Sequence, residues 1–408
     1  MRAPLNRVVA VTGLGVLNPA GTGVPAFWAG LMAPAPTTPV RRVDGFDPAR
    51  WLSRKQQRTL DRSAQLAVAA ADEALRDAGL LAHPDAAPST PEACVLAGVD
   101  PARAGVALGT GIGGVSTLEA QTVVLGERGA RLVSPFTVPM SMPNAPAAAL
   151  SMRYGARGPA TTVTTACAAG ADGIAAGARL VASGTCDVVL AGGADVSLTP
   201  TCLAGFANMR ALSPSGTTRP FDARRDGLAA AEAAAVLVLE PLEAALERGA
   251  EPWATIAGAA STSDAHHLTA PAPHGAGALE CMRRALHDAG VAPQELGHVN
   301  AHGTSTVLND AAEAEALRTL LGPARVPVTS VKGVTGHAFG AAGAVEAVAV
   351  ALSIRHALLP PTAGHEHLDE GMDIDVVTEP TPWAPGPVLS NSFGFGGHNG
   401  CLVVAPVP

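Results

Sequence analysis

The sequence predicts an α/β protein in which two successive series of strands alternate with helices and stack as layers around mostly parallel sheets. Three observations carry that expectation. Short Val-, Leu- or Thr-rich runs end in glycine turns, Ala-rich segments at helical spacing follow them, and the pattern restarts after Pro252-Trp253. At 408 residues the chain can form two domains or one large double unit with an ample core, and the division is placed between residues 1–251 and 252–408.

Residues 7–15 read as a buried strand running into a glycine turn. Gly13 and Gly15 look like the start of a dinucleotide fingerprint, but Asn18-Pro19-Ala20-Gly21 stands where a helix should open, so a nucleotide site is not expected. Residues 63–81 are helical, with Leu66, Ala70, Ala74 and Leu75 on one face and Gly79 as the stop. After a Pro/Ala/Ser loop at 84–91, strand 105–108 meets the turn Gly109-Thr110-Gly111-Ile112-Gly113-Gly114. The β-branched stretch 161–165 is a strand, 168–183 is an Ala-rich helix, and Cys167 lies at their joint. Strands 187–190 and 236–239 close the first series. The second opens with strand 252–258 and continues through helix 275–289, strand 297–300, helix 311–321, strand 326–330 and helix 339–356 to paired strands near 388–390 and 402–404. No repeat is visible at the residue level.

Composition narrows the function. With 27 Lys+Arg against 35 Asp+Glu the net charge is −8, which excludes a basic nucleic-acid binder. A 48% hydrophobic chain with only 8 Phe, 4 Trp and 1 Tyr must build its core from Ala, Val and Leu, packed closely with help from 45 Gly. The six cysteines form neither a C-x-x-C pair nor a Cys/His cluster at metal spacing, so no disulfide framework or metal is expected. The most apolar stretch, 338–354, is interrupted by Glu346, and Met1-Arg2-Ala3-Pro4 lacks a signal-peptide core. A soluble cytoplasmic protein without a membrane partner is expected. Only two lysines occur, Lys55 and Lys332, and a lone lysine is on composition alone an ordinary solvated side chain.

Four segments carry chemistry. In Thr165-Ala166-Cys167-Ala168-Ala169-Gly170 a strand turns into a helix, placing a thiol near free amides and the positive end of the helix dipole, which favours thiolate. Taken alone, Cys167 is equally a small residue at a tight corner. Asn300-Ala301-His302-Gly303-Thr304-Ser305-Thr306 and Ser330-Val331-Lys332-Gly333-Val334-Thr335-Gly336-His337 each put an imidazole at the C-terminal edge of a predicted strand, the usual edge for sites in such sheets. Asn391-Ser392-Phe393-Gly394-Phe395-Gly396-Gly397-His398 reads either as a hairpin turn or as a loop offering amides.

Together these segments resemble the elongating β-ketoacyl-acyl-carrier-protein synthases, the condensing enzymes of dissociated fatty-acid and polyketide synthesis, and the resemblance runs from Val8 to Val404. It implies a thiolase-like five-layered α-β-α-β-α sandwich built from two similar halves. It also implies an acyltransferase with no bound cofactor, whose substrates arrive on the 4'-phosphopantetheine of acyl carrier protein. The assembly is expected to be a homodimer, or a heterodimer with a chain-length-factor-like subunit. By motif position Cys167 matches the nucleophile, His302 and His337 the histidine pair, Lys332 and Glu346 the buried lysine and carboxylate, and Phe395 the gating phenylalanine in a loop with Gly394 and Gly396. Thr304, Thr306 and Thr269 resemble pantetheine-contacting hydroxyls, and Ile112 the floor of the acyl pocket. Arg54, Lys55, Arg58 and Arg210 match positions that dock the acidic carrier.

The expected chemistry is transfer of an acyl group to Cys167, then decarboxylation of malonyl carrier protein and Claisen condensation. The departures concern the pocket. Where the family usually shows Gly-Phe-Val-x-Gly-Glu-Gly, this chain has Gly227-Leu228-Ala229-Ala230-Ala231-Glu232-Ala233; Gly333 replaces a common Ser; and the region from Val43 to Trp51 is shortened. They lean toward a polyketide or secondary-metabolite synthase, with housekeeping fatty-acid elongation and a non-enzymatic partner subunit as the alternatives. A thiolase would need a C-terminal Cys-x-Gly, whereas Leu402-Val403 follows Cys401, and the initiating synthases carry Asn where His337 stands.

Overall fold

The computed structural model describes residues 7–408, so the Met1–Pro4 reading lies outside the described residues. The first strand, β1 (Val9–Asn18), carries no charge and is buried along its length. It is followed by α1 (Arg54–Thr59), α2 (Arg62–Asp77), β2 (Ala104–Gly109), α3 (Val115–Arg128), α4 (Ala145–Tyr154), β3 (Ala160–Val163), α5 (Ala169–Ala182), β4 (Val188–Asp195), α6 (Pro200–Asn208) and β5 (Ala233–Pro241). The second series is β6 (Ala254–Ser263), α7 (Ala276–Ala289), β7 (His298–Asn300), α8 (Val307–Leu321), β8 (Pro327–Thr329), α9 (Ala342–His356), β9 (Val388–Gly394) and β10 (His398–Ala405).

The two series build the same sheet. From the edge inward the first runs β3-β2-β4-β5-β1 and the second β8-β7-β9-β10-β6, with the short strand Asp375–Val376 added outside β8. In each, only the fifth strand, β5 or β10, runs against the others. Thus the repeat invisible in the residues is plain in the topology. The sheets meet where β1 pairs antiparallel with β6 over three residues, Val9 opposite Ile256 to Val11 opposite Ala254.

Layering follows from strand alternation. Along β5, Ala234, Val236 and Val238 face α2 and α4, whereas Ala233, Ala235, Leu237 and Leu239 face the layer formed by α5 and α9. The outer face of the second sheet is covered by α7 and α8. Five layers result, α-β-α-β-α, as expected from the family resemblance. The segment Phe339–His356, the one described helix apolar and long enough to cross a membrane, is this buried central helix.

Close backbone approach replaces bulky packing, as the glycine content predicts. A Cβ on Gly13 would lie 2.1 Å from the Ala74 carbonyl oxygen and one on Gly15 1.9 Å from that of Ala70, so these two glycines let β1 touch α2. At the centre, a Cβ on Gly170 would lie 2.8 Å from the Ala344 amide nitrogen and one on Gly343 2.7 Å from that of Ala171. The two central helices therefore cross backbone to backbone. Helix α3, unassigned from sequence, has no buried residue, which is why its apolar pattern is weak.

Candidate active site

The nucleophile candidate stands on a sharp corner. Beyond β3, Ala166 takes a left-handed backbone (φ 51°), a single 3-10 turn spans Ala166–Ala168, and α5 begins at Ala169. The Thr165 hydroxyl donates to Asp172 at 2.6 Å and fastens the corner to the helix. Cys167 Sγ is 3.2 Å from His337 Nε2, and the Phe395 amide donates toward the same sulfur. The helix N-terminus was expected to favour thiolate. Instead, burial pushes the Cys167 thiol up to about 11, with the charge of Lys332 offsetting only part of that effect.

Each histidine is fixed through its backbone. The Glu313 carboxylate on α8 accepts from the amides of His302 and Gly303, both at 2.8 Å, and from Asn391 Nδ2 at 3.1 Å, while Asp310 accepts from the Ser305 and Phe221 amides. The His337 amide donates to the Ala229 carbonyl at 2.8 Å, and the His337 carbonyl accepts from Ala231 at 2.9 Å. Their rings stand 5.4 Å apart at 82°. Burial holds both imidazoles well below their ordinary pKa, and the Lys332 charge adds to the shift, so both rings are neutral near pH 7.

Lys332 is 1% exposed. Its ammonium donates to the His302 carbonyl at 2.5 Å, lies 3.3 Å from His302 Nδ1 and pairs with Glu346. An ammonium has no lone pair, so His302 Nδ1 must accept and the ring proton sits on Nε2. Burial pushes the Glu346 carboxyl up to about 7, with the Lys332 charge pulling the other way. The solvated reading of Lys332 is thereby excluded.

A cavity of about 350 Å³ reaches Cys167, His302 and His337. Thr304 and Thr306, their hydroxyls 2.9 Å apart, line it with Thr269, Phe395 and Gly394. A Cβ on Gly394 would sit 3.0 Å from the Cys167 amide nitrogen, so glycine there keeps the Phe395 loop against the nucleophile. The hairpin and loop readings of 391–398 both hold, because β9 and β10 pair to Gly394 opposite His398 and the turn between them lines the cavity.

One expectation is corrected, and four other candidates stand outside the cavity of the single chain. Gly396 is exposed at the tip of that turn (φ 85°) and does not line the cavity; Gly397 and Asn399 do. Ile112 is 46% exposed and lies outside the lining, because its turn packs sideways against Pro143 and Met140 and leaves the side chain on the surface of the single chain. Arg54, Lys55 and Arg58 are exposed on α1, where surface contact with a partner is open to them, and Arg210 lines the cavity.

Other residues were not anticipated. Asp310 and Glu313, three apart on α8, resemble an ordinary solvated helix face until the fold buries them. Phe339 adopts φ 45°, lies 5.2 Å from the His337 ring and stacks on Phe206 at 4.7 Å, and both phenylalanines line the cavity. Asp195, fully buried, accepts from Gly111 at 2.7 Å and Gly340 at 3.2 Å and so ties the Ile112 turn to the Phe339 loop. The departure at 228–231 falls in the same place: Leu228 lines the cavity, and Ala229 and Ala231 bracket the His337 backbone.

Comparison with known proteins agrees with this geometry. Residues 33–245 match the family described as "Beta-ketoacyl synthase, N-terminal domain" and residues 253–366 match "Beta-ketoacyl synthase, C-terminal domain". The 3-oxoacyl-[acyl-carrier-protein] synthase 2 of Coxiella burnetii is 39% identical, covering 98% of this chain and 99% of its own, and that of Synechocystis sp. is 38% identical, covering 96% of each. Among solved structures, the ishigamide ketosynthase/chain length factor superposes with TM-score 0.89 at 33% identity over 99% of this chain and 100% of that one. A type II polyketide ketosynthase bound to its acyl-carrier protein and a hexaketide gives TM-score 0.86 at 29% identity over 99% of this chain and 100% of that one.

Proposed function

Because this chain belongs to the β-ketoacyl synthase family and is a condensing acyltransferase, we propose that Cys167, His302 and His337 carry its two half-reactions and that its product is a β-ketoacyl chain two carbons longer. The observation that carries this assignment is the 3.2 Å contact between Cys167 Sγ and His337 Nε2, with the His302 ring 5.4 Å beyond.

In the first half-reaction the Cys167 thiol gives its proton to His337 Nε2 as the sulfur attacks the acyl thioester on carrier-protein phosphopantetheine. Thiol is the resting state here, so this proton transfer accompanies attack. The C–S bond to pantetheine breaks, its sulfur takes up the proton, and the acyl group remains on Cys167. Exchange of one thioester for another is close to isoenergetic. The amides of Cys167 and Phe395 stabilise the tetrahedral oxyanion.

In the second, malonyl carrier protein loses CO₂. The electron pair of that broken C–C bond becomes a thioester enolate, whose oxygen accepts a hydrogen bond from His302 Nε2–H and, once the His337 ring proton has passed from Nδ1 to Nε2, a second from His337. Donors preorganised in a dry pocket stabilise such charge without a metal. The enolate carbon then bonds to the acyl carbonyl carbon, the C–S bond to Cys167 breaks, and the departing thiolate takes up one proton from solvent to restore the resting thiol. Lys332 and Glu346 act at one remove by fixing the His302 tautomer and the charge state of the pocket.

The polyketide or secondary-metabolite branch is the finer reading. It is supported by the Leu228–Ala231 departure at the His337 backbone and by likeness to ketosynthases solved with chain length factors. Housekeeping fatty-acid elongation is the alternative. The division of the chain at residues 251 and 252 and a cytoplasmic location belong to the same reading. A second ketosynthase-fold subunit, identical or chain-length-factor-like, is proposed to cover the open edge at β3 and the apolar side chains Ile112, Leu118, Phe136 and Val138, which are 44–67% exposed. Incubation with acyl carrier protein should add one acyl mass to the peptide holding Cys167, and Cys167→Ala should abolish it. Acylation on another peptide overturns the assignment.

A further inference from the structure

His337 is held by a ladder of three short segments. Val40–Arg41 pairs parallel with Ala230–Ala231, and Ala230 pairs in turn with His337. Because the His337 amide leaves for the Ala229 carbonyl at 2.8 Å, the one-turn helix Lys332–Thr335 ends early and the Gly333 carbonyl loses the donor four residues on. The Arg41 side chain takes that place. Its Nη1 donates to the carbonyls of Gly333 and Val334, both at 2.9 Å, its Nη2 to that of Pro36 at 3.0 Å and its Nε to that of Thr38 at 3.2 Å. Its stem also abuts the residue before the histidine: a Cβ on Gly336 would lie 3.2 Å from Arg41 Cδ.

An arginine is a costly choice for this place. Arg41 is 4% exposed, and among the described residues it makes no ion pair. Glu232, next along the ladder, accepts from the Val43 amide at 2.9 Å and pairs with Arg62 at 2.6 Å and Arg42 at 3.8 Å. Burial lowers the Arg41 guanidinium to about 10, so it remains a cation near pH 7. A buried charge with no counter-ion destabilises the fold, whereas open carbonyls alone could be satisfied by water. The guanidinium does what water cannot, since its planar fork holds two successive carbonyls in one fixed orientation.

Resting on the reading that Cys167, His302 and His337 carry the two half-reactions, we infer that Arg41 is a positioning residue for both. The helix it closes starts at Lys332, which sets His302, and ends two residues before His337, which touches Cys167. One guanidinium therefore holds both parts of the site from behind without touching a reacting atom. Loss of its grip lets the helix end fray, so that His337 drifts from the sulfur and Lys332 from His302 together.

The test compares Arg41→Ala and Arg41→Lys with the wild type in acyl uptake by Cys167, read by intact mass, and in CO₂ release from malonyl carrier protein. In both variants kcat should fall by about 100-fold in each half-reaction with KM little changed, the scale of a displacement of about 1 Å. Lysine keeps the charge but has no fork, so it should not restore the rate. Methylguanidinium at about 20 mM should return about tenfold to Arg41→Ala, where it can occupy the vacated space, and nothing to Arg41→Lys. Unchanged kcat per folded molecule, variants that do not fold, or a loss that methylguanidinium does not reverse overturns the inference in favour of a folding support. A fully active Arg41→Lys, or a fall in CO₂ release with acyl uptake intact, also overturns it, since neither the fork nor the His337 end of the helix would then matter. A wild type that neither takes up an acyl group nor releases CO₂ defeats the condensing-site reading itself and the inference with it.

Discussion

Lys332 reaches His302 twice, donating to its backbone carbonyl at 2.5 Å and facing its Nδ1 at 3.3 Å, while Glu346 holds the ammonium from the other side. One compact cation thus sets both the position and the tautomer of an imidazole. In Lys332→Arg the planar guanidinium cannot place one nitrogen at all three sites. Decarboxylation of malonyl carrier protein should fall by about 100-fold or more, the scale of losing a donor to a developing oxyanion. A fully active Arg variant with an unchanged melting temperature would show that positive charge alone suffices.

The resting thiol has a kinetic signature. Because burial raises Cys167 to about 11, its alkylation by iodoacetamide should quicken steadily as pH rises from 7 toward 10, with no plateau near 7. A plateau by pH 8 would mean that a thiolate is already formed at rest.

The two histidines should separate in half-reaction assays. His302→Ala should suppress CO₂ release by about 100- to 10,000-fold while leaving acyl uptake by Cys167 measurable, whereas His337→Ala should impair both. His337 alone touches the sulfur. Since both rings are held neutral, the wild-type decarboxylation profile should also lack an acid limb at pH 6.5. Loss of CO₂ release in neither variant refutes the enolate role.

Phe339 offers a handle on chain choice. Its ring stacks on Phe206 beside Cys167, so Phe339→Leu removes one aromatic wall of the cavity. The preference for dodecanoyl over butyryl carrier protein should rise by about tenfold, a few buried methylenes' worth of discrimination. An unchanged ratio would place chain selection away from this wall.

The architecture and the groups proposed to react were legible because they depend on local signals. Strand-turn-helix junctions announce Cys167 and His337, and the alternation of strands with Ala-rich helices announces the layers. What escaped depends on long-range placement. Glu313 and Asp310 carry the spacing of an exposed helix face, and only packing against the His302 loop reveals them as buried acceptors. Asp195 ends a strand with nothing in its neighbours to show that it joins Gly111 to Gly340, which lies 145 residues beyond Asp195 in the chain. Ile112 lies outside the cavity of the single chain for the converse reason, since a motif position does not say which way a surface turn faces in one chain.

The crossing of the central helices has a consequence for how this protein can vary. Gly170 follows Cys167 by three residues and Gly343 follows His337 by six, so each sits on the helix that comes next after a group proposed to react. A single methyl added at either glycine would wedge the helices apart and lengthen the sulfur-to-imidazole separation without touching the chemistry. The strictest limits on substitution should therefore extend to atoms that are not there, and the gap between acid and base is gauged by two hydrogens where side chains could have been.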